Sequence, residues 1–485
     1  MYLGIDIGTS NVKAVVVNDD QTIVASAAAP LPISRPHALW SEQNPEDWWA
    51  AVDATVASLR QVAGVAFAAI RSIGLSGQMH GLVLLDAHGQ PLRPAILHND
   101  GRSFAEAKLL NEAVPDFGRI AGVPAMPGFA APKVLWVKHH EPEVFAKARH
   151  LLLPKDYIRF RLTGTFATDL CDGSGAVLLD SGRRQWSPEI AAACGIGMDL
   201  LPAALEGTAI SGELSETVAS AWGLKAGIPV AAGAGDAAAG AIGTGAINEG
   251  DGFISMGTAS QYFITRQRYQ PAPEHLIHTF CHGLPGRWFQ MAALLNGASC
   301  LAWVAGLLGQ NDIGKLLAST EAQFTGPSPV TFLPYLTGER TPHNNPHAKG
   351  VLFGLTQSAT PELVAQSVLE GVALSLADCQ ALLAETGPLP AAIAVTGGGS
   401  KSPFWMKILA SAIGRTVLLY ESGETGPAFG AARLARLAVT GEDPGAVCAK
   451  PEIAAEIEPD PSLTPAYGER LERFRALYGA VSDLF

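Results

Sequence analysis

The feature that most constrains this chain is a motif that recurs half a chain apart. Near the start stands Leu3-Gly4-Ile5-Asp6-Ile7-Gly8-Thr9-Ser10-Asn11-Val12-Lys13-Ala14-Val15-Val16-Val17. Far downstream stands Gly252-Phe253-Ile254-Ser255-Met256-Gly257-Thr258-Ala259-Ser260-Gln261-Tyr262-Phe263-Ile264. Each is an apolar strand, a tight turn of glycine, threonine and a small residue, then a second β-rich strand, which predicts a β-hairpin with small residues at its tip. Two such hairpins opening two halves predict a duplicated domain whose tips close on one ligand from opposite sides. A chain of 485 residues exceeds one ordinary core, so two domains of roughly 240 residues each are expected. The Asn248-Glu249-Gly250-Asp251-Gly252 stretch is the natural joint and divides the chain into 1–245 and 246–485.

Between and after the hairpins, strand-like runs alternate with helical periods. Ala66–Ile73 leads into Gly74-Leu75-Ser76-Gly77-Gln78-Met79-His80, and Ile228–Ala232 leads into a second glycine-rich turn. Val364, Val368, Val372, Leu376, Cys379 and Leu383 recur at helical spacing and predict a long core helix. Ala392–Val395 reads as a short strand running into Thr396-Gly397-Gly398-Gly399-Ser400. Repeated strand–glycine turn–helix units imply an α/β architecture. Residues Trp288–Asn311 carry no charge and are long enough to span a bilayer. Gln290, Asn296, Ser299 and Gln310 within them predict a buried core helix instead.

Composition narrows the partners. Hydrophobic residues make up 48% and charged residues 16% of the chain, which excludes disorder for its bulk. The net charge of −12 and the absence of any lysine or arginine run argue against nucleic acid and against an anionic membrane surface. An anionic nucleotide is still compatible, because backbone N–H groups and a divalent cation hold phosphates on an acidic protein. The six cysteines lie far apart, with no Cys-x-x-Cys pair, and predict reduced, mostly buried thiols. No basic stretch follows Met1 ahead of an apolar run, so a cytoplasmic protein is expected. The sequence leaves a homodimer open.

Three segments carry candidate chemistry. Asp6 lies inside an apolar strand, where an unpaired carboxylate is costly. It is either a hydrogen-bonded structural acid or the group that orients a water-bound Mg²⁺ beside phosphates at Gly8-Thr9-Ser10; Mg²⁺ keeps several waters, so one carboxylate suffices. Gly257-Thr258-Ala259 offers a backbone N–H and a hydroxyl to a phosphate from the other side. In Gly233-Ala234-Gly235-Asp236-Ala237-Ala238-Ala239-Gly240, small residues surround one carboxylate at a helix start. Asp236 is either an N-cap or a base with room for substrate beside it. Ala238 stands where a third glycine would complete a dinucleotide fingerprint, and Ser400 replaces the glycine a P-loop needs before Lys401. His275, His278 and His282 beside Cys281 resemble metal ligands, but on a strand they would not all face one way. Trp48-Trp49 reads as core rather than as a sugar platform.

Taken in order, these pieces resemble the FGGY family of carbohydrate kinases over essentially the whole chain. The resemblance includes Asp6-Ile7-Gly8-Thr9-Ser10, Trp40-Ser41-Glu42-Gln43, Gly77-Gln78-Met79-His80-Gly81 and Asn99-Asp100-Gly101-Arg102. It continues through Pro127-Gly128-Phe129, Lys133-Val134-Leu135-Trp136 and Leu153-Pro154-Lys155-Asp156-Tyr157. The later matches are Leu333-Pro334-Tyr335-Leu336-Thr337-Gly338-Glu339-Arg340-Thr341-Pro342, Thr396-Gly397-Gly398-Gly399 and Gly426-Pro427-Ala428-Phe429-Gly430.

The resemblance implies an α/β fold of two ribonuclease-H-like (actin-like ATPase) domains with sugar and nucleotide in the cleft between them. It implies ATP and Mg²⁺, with Asp236 as catalytic base and Asp6 placing the metal through water. Gln78, Met79, His80, His98 and Asn99 would line the sugar site. Gly8, Thr9, Ser10, Gly257 and Thr258 would lie at the phosphates, and Gly397, Gly398 and Gly399 along the adenosine. Gln78-Met79-His80 points to D-xylulose as acceptor, since members acting on glycerol carry an Arg-Glu pair at positions 79 and 80. Two departures bear on the sugar: Ala237 stands where relatives carry Asn or Gln, and His98 where many carry Trp. An Asp of ordinary pKa near 4 would be a weak base, so orientation should matter as much as proton removal.

Overall fold

The computed structural model of the protein describes residues 1–421 and 426–485. The first half is built on a seven-stranded sheet. Its elements are β1 (Tyr2–Ile7), β2 (Asn11–Val17), β3 (Ile23–Pro30), helix α1 (Pro45–Ala63), β4 (Ser72–Gly77) and helix α2 (Pro154–Thr163). They continue with β5 (Ile210–Glu213), β6 (Pro229–Ala231), β7 (Ala234–Gly235) and helix α3 (Asp236–Thr244). The strand order is β5-β6-β4-β1-β2-β3, with β7 pairing the far end of β4. β1 is antiparallel to β2 and parallel to β4. Every residue of β1 but Asp6 is buried, as a strand covered on both faces requires. Helix α1 starts where Asn44 accepts the Glu46 N–H, Pro45 stands at N1, and Glu46 and Asp47 meet the positive end of the helix. Its buried stripe of Trp48, Val52, Val56 and Leu59 packs on β2 and β3.

The second half repeats the plan with β8 (Gly252–Met256), β9 (Ser260–Arg266), β10 (His278–Cys281), β11 (Trp288–Leu294) and helix α4 (Ser299–Leu307). Helix α5 (Pro361–Glu385), β12 (Ala392–Thr396), β13 (Thr416–Tyr420), helix α6 (Pro427–Thr440) and β14 (Ile453–Ile457) follow. Here the order is β10-β11-β9-β8-β12-β13-β14. β8 is antiparallel to β9 and parallel to β12, the same relations that β1 bears to β2 and β4. Both hairpins expected from the repeat are therefore present, each central in its own sheet. The long helix expected from the spacing of Val364 to Leu383 is α5, capped by the Thr360 hydroxyl and buried over most of its length. By length and composition it could cross a membrane, but 78% of its most apolar window lies inside the protein.

Two expectations are corrected. Trp288–Asn311 is not one buried helix: it is strand β11, a turn at Asn296-Gly297, then helix α4. The error has a physical source. β11 lies between β9 and β10 and is buried on both faces, so its apolar run loses the alternation that distinguishes a strand from a core helix. Ala66–Ile73 is likewise not a strand; Gly64–Ala69 is a 3₁₀ turn, and Gly74-Leu75-Ser76-Gly77 belongs to the strand itself. The two halves also pack on each other, with α6 of the second half lying on β1, β4 and α3 of the first. The approach is close enough that a Cβ on Gly4 or Gly74 would fall 1.9 Å from the carbonyl oxygens of Ala428 and Ala431. Arg433 Nη1 fixes the crossing by donating to the Ile242 and Gly243 carbonyls at the end of α3, at 2.8 and 3.1 Å.

Candidate active site

Three parallel strands of the first sheet end on one edge, and their ends carry the candidate residues. Asp6 is in register with Ser76 and Ile7 with Gly77; Ala234 is in register with Ser76 and Gly235 with Gly77. Asp6, Gln78-Met79-His80 and Asp236 therefore emerge side by side at the carboxyl ends of these strands, where open α/β sheets present their ligands.

Asp236 is the first residue of α3, and Gly235 rather than Asp236 is its N-cap. Among the described residues its carboxylate accepts only its own Ala237 N–H, at 2.7 Å, so it is free of capping work. Burial, reinforced by the negative charge of Asp6, pushes its pKa up to about 7. That corrects the expectation of an ordinary carboxylate: the environment makes Asp236 a far better proton acceptor near neutrality. Burial also raises Asp6, to about 6, partly offset by the Ser76 hydroxyl and by Lys13 across the hairpin. Asp6 Oδ1 is buried with no hydrogen-bond partner. A hard, orphaned oxygen beside a second carboxylate fits a hydrated divalent cation.

The first hairpin tip is braced from behind. Gln78 Nε2 donates to Gln43 Oε1 at 2.9 Å, Gln43 Nε2 donates to the Thr9 carbonyl at 2.8 Å, and Thr9 Oγ1 donates to Gln78 Oε1 at 3.2 Å. Trp48, core as expected, donates its indole N–H to Gln43 Oε1 at 2.9 Å. Gln78 is thus turned toward Gly8 and Thr9, and Met79 and His80, both buried, pack over Gly175. Met79 lies over Gly235, where a Cβ would come within 2.5 Å of its Cγ.

His80 has a left-handed backbone, φ 71°, and its Nδ1 is 2.7 Å from the Gly175 carbonyl. That acceptor requires the proton on Nδ1 and leaves Nε2 as an acceptor. Burial, then the neighbouring His278, keeps the ring neutral. Lys133 donates to the His80 and Gly128 carbonyls at 2.8 and 2.7 Å. His98 is half-buried and held neutral by burial, Arg340 and Lys133, its pKa lowered to about 3; Asn99 is exposed. From the second half, His278 stacks edge-on with Phe129 at 5.4 Å. His282 Nδ1 accepts the Leu284 N–H, and His275 pairs with Glu385 at 3.0 Å.

The second hairpin faces this edge across a cavity of about 370 Å³ lined by Asp236, Ala237, Ser255, Gln261, Thr396 and Gly397, with Gly426 and Pro427 at the start of α6. Thr258 and Ala259 at the tip are exposed. Gly397 holds φ 92°, and a Cβ there would lie 2.6 Å from the Met256 carbonyl; at Gly398 a Cβ would meet open space, and at Gly399 it would press on Met256. A second cavity of about 440 Å³, lined by Arg119, Arg183, Trp186 and Tyr269 among others, shares no residue with this one.

Sequence reasoning gave no role to a buried ion cluster beneath Asp236. Lys155 contacts Asp156, Asp169 at 2.7 Å and Asp172 at 3.5 Å, all fully buried. Arg159 pairs with Asp156 at 2.5 Å and donates to the Ala232 carbonyl, just before β7. Burial and the surrounding carboxylates, Asp236 included, push Asp172 well up. A lysine–aspartate pair within an otherwise buried helix was the available signal, but its partners lie in α2 and in 169–172 and meet only in the fold.

A carboxylate of raised basicity on a cavity wall, an orphaned acidic oxygen for a cation and two glycine-threonine hairpin tips are parts for phosphoryl transfer to a hydroxyl. Family comparison agrees. The model of the FGGY family of carbohydrate kinases, N-terminal domain, matches residues 1–243, and that of its C-terminal domain matches residues 252–439; the chain belongs to this family and is a carbohydrate kinase. Kinases of this family take ATP with a divalent metal ion. The chain is 45% identical to a xylulose kinase of Escherichia coli over 99% of its length and 98% of that protein. It is 44% identical to a xylulose kinase of Klebsiella pneumoniae over the whole of both chains. Among solved structures, a xyloylose kinase from Brucella ovis superposes with a TM-score of 0.96 at 43% identity over 100% of both chains.

Proposed function

We infer that this chain transfers the γ-phosphoryl group of ATP to the C5 hydroxyl of D-xylulose. The observation that supports it most is the position of Asp236, next to the Gly235 that Met79 covers, on the wall of the cavity that the second hairpin lines, with a pKa pushed up to about 7. Full-length similarity to xylulose kinases at 44 and 45% identity selects the acceptor. Asp236 accepts the C5 proton as the new O–P bond forms and the γ-phosphorus–oxygen bond to ADP breaks. His80 Nε2 accepts a hydroxyl proton of the sugar and so orients it. The tip Gly8-Thr9-Ser10 holds the γ-phosphate side, Gly257 and Thr258 hold the phosphates from the other half, and Gly397-Gly398-Gly399 leaves room for the adenosine. Asp6 would hold a hydrated Mg²⁺, whose chemistry there would be neutralisation of phosphate charge. All six cysteines are free and buried, which supports a reducing compartment, the cytoplasm.

A second reading, another pentulose or a polyol as acceptor, draws on Ala237 and His98, both on the acceptor side and both departures from the family pattern. Initial rates of ADP formation with Mg-ATP and D-xylulose, D-ribulose, L-ribulose, glycerol or no sugar separate the two. D-Xylulose should lead in kcat/KM by a factor of about ten or more, roughly 1.4 kcal/mol of transition-state preference. Equal or better use of another acceptor transfers the assignment to that sugar.

A further inference from the structure

One cation at the acceptor side has no counterpart. Arg340 comes from the second half, in the segment that follows the short strand Thr331–Leu333. Its guanidinium lies against the first half: a Cβ on Gly128 would sit 3.5 Å from Arg340 Nη2 and 2.5 Å from the His98 carbonyl oxygen. Among the described residues its side chain donates to no oxygen, although its neighbour Glu339 is an acid. Glu339 is engaged elsewhere, accepting the Leu295 N–H at 2.6 Å and the Arg340 backbone N–H at 2.8 Å. Thr341 fastens the segment to β11, its N–H donating to the Ala293 carbonyl at 3.1 Å and its hydroxyl accepting the Ala293 N–H at 3.2 Å. The arginine is held in place and left open.

The imidazoles around it are neutral. Burial and the Arg340 charge hold His98 and His278 uncharged, each lowered to about 3. Both ring nitrogens of His278 and Nδ1 of His98 are buried without partners, so hydrogen-bonding capacity stands unfilled around the guanidinium, which a native interior rarely tolerates without a ligand. Lys133, the other cation present, already donates to two carbonyls. Chemical matching then assigns the groups. An arginine can only donate. Of the oxygens of an open-chain ketopentose, four are hydroxyls that both donate and accept, and one, the C2 carbonyl, can only accept.

We propose that Arg340 donates to the C2 carbonyl of the acceptor sugar, so that the second half of the chain reads the ketone while Asp236 of the first half takes the proton at C5. The inference rests on the reading of this protein as a ketopentose kinase. It makes Arg340 a recognition residue that discriminates a ketose from the corresponding polyol.

The test compares D-xylulose with xylitol, which has a hydroxyl where the ketose has its carbonyl, in wild type, Arg340→Met and Arg340→Lys with saturating Mg-ATP. Xylitol is followed as substrate or as competitive inhibitor. Loss of a charge-assisted hydrogen bond should lower kcat/KM for D-xylulose roughly tenfold to hundredfold in Arg340→Met. The constant for xylitol should move less than about threefold, so the ketose-to-polyol ratio collapses, and Arg340→Lys should recover part of it. Equal losses on both ligands overturn the proposal. A measurement on wild type alone guards against a misfolded variant: the C2 resonance of [2-¹³C]D-xylulose, bound with a non-hydrolysable ATP analogue, should move downfield of the free keto form. An unmoved resonance overturns the proposal as well. Failure of the functional reading shows differently, in wild type: preference for another ketopentose displaces D-xylulose alone, whereas turnover of polyols only overturns both.

Discussion

The two hairpins are built alike and charged differently. Asp6 is the second-to-last residue of β1 and lies in register with Ser76 of its parallel neighbour. Ser255 is the second-to-last residue of β8 and lies in register with Thr396 of its parallel neighbour. One fold therefore sets a carboxylate at the strand end in the first half and, in the second, hydroxyls that line the cavity. The first half adds Asp236 at the start of α3, whereas the corresponding edge of the second half adds Gly397. A phosphate chain of several negative charges tolerates carboxylates only where a cation stands between, so the acidic half suits the metal and the proton and the neutral half suits the nucleotide. The frame is shared; on the proposed reading, the difference at equivalent strand ends divides the chemistry.

The acidic half should dominate when either side is broken. Asp236→Ala should cut kcat by about 10²–10⁴-fold while ATP binding, followed by nucleotide fluorescence, persists; retained turnover would remove Asp236 from the mechanism. Changing the charge at each of the two equivalent positions is the sharper experiment. Asp6→Asn should weaken the apparent affinity for the divalent metal about tenfold to hundredfold, read from the rate against metal concentration. Ser255→Asp should raise the KM for ATP by roughly tenfold through repulsion of the phosphates, and equal effects of the two changes on both quantities would refute the division of labour.

The smallest effect concerns stability. A carboxylate whose folded pKa is raised binds its proton more tightly folded than unfolded, so it lowers stability as pH rises from about 4 to about 7, and the cost is complete above that. With Asp236 pushed up to about 7, Asp236→Asn should raise the melting temperature of the ligand-free protein at pH 8 by about 2–4 °C. At pH 4 the difference should vanish. A gain independent of pH would point to packing rather than charge.

Much of the frame was legible because its signals are local. A glycine-threonine turn between β-rich runs defines a hairpin wherever it stands, and a carboxylate inside such a strand, or among alanines and glycines at a helix start, is conspicuous. What depended on neighbours was not legible. Gln78 turns to brace Thr9 because Gln43, 35 residues earlier in the chain, lies behind it. β11 reads as helix in the sequence because pairing on both sides erases its alternation. The Lys155 and Arg159 cluster joins three separate segments, and Arg340 comes from the opposite half of the chain to lie against Gly128.

The sequence by itself determined the duplicated α/β plan, the family and the pair of acids at its centre, since turn chemistry and hydrophobic spacing act over a few residues. The tertiary structure alone decided what those acids can do. Burial and mutual repulsion turn Asp236 from a weak base into one matched to neutral pH. The packing of one half against the other sets Arg340, without a carboxylate partner among the described residues, beside histidines that its charge helps keep neutral. Electrostatic free energies in a protein depend on distance and on exclusion of water, and neither quantity exists until the chain has folded.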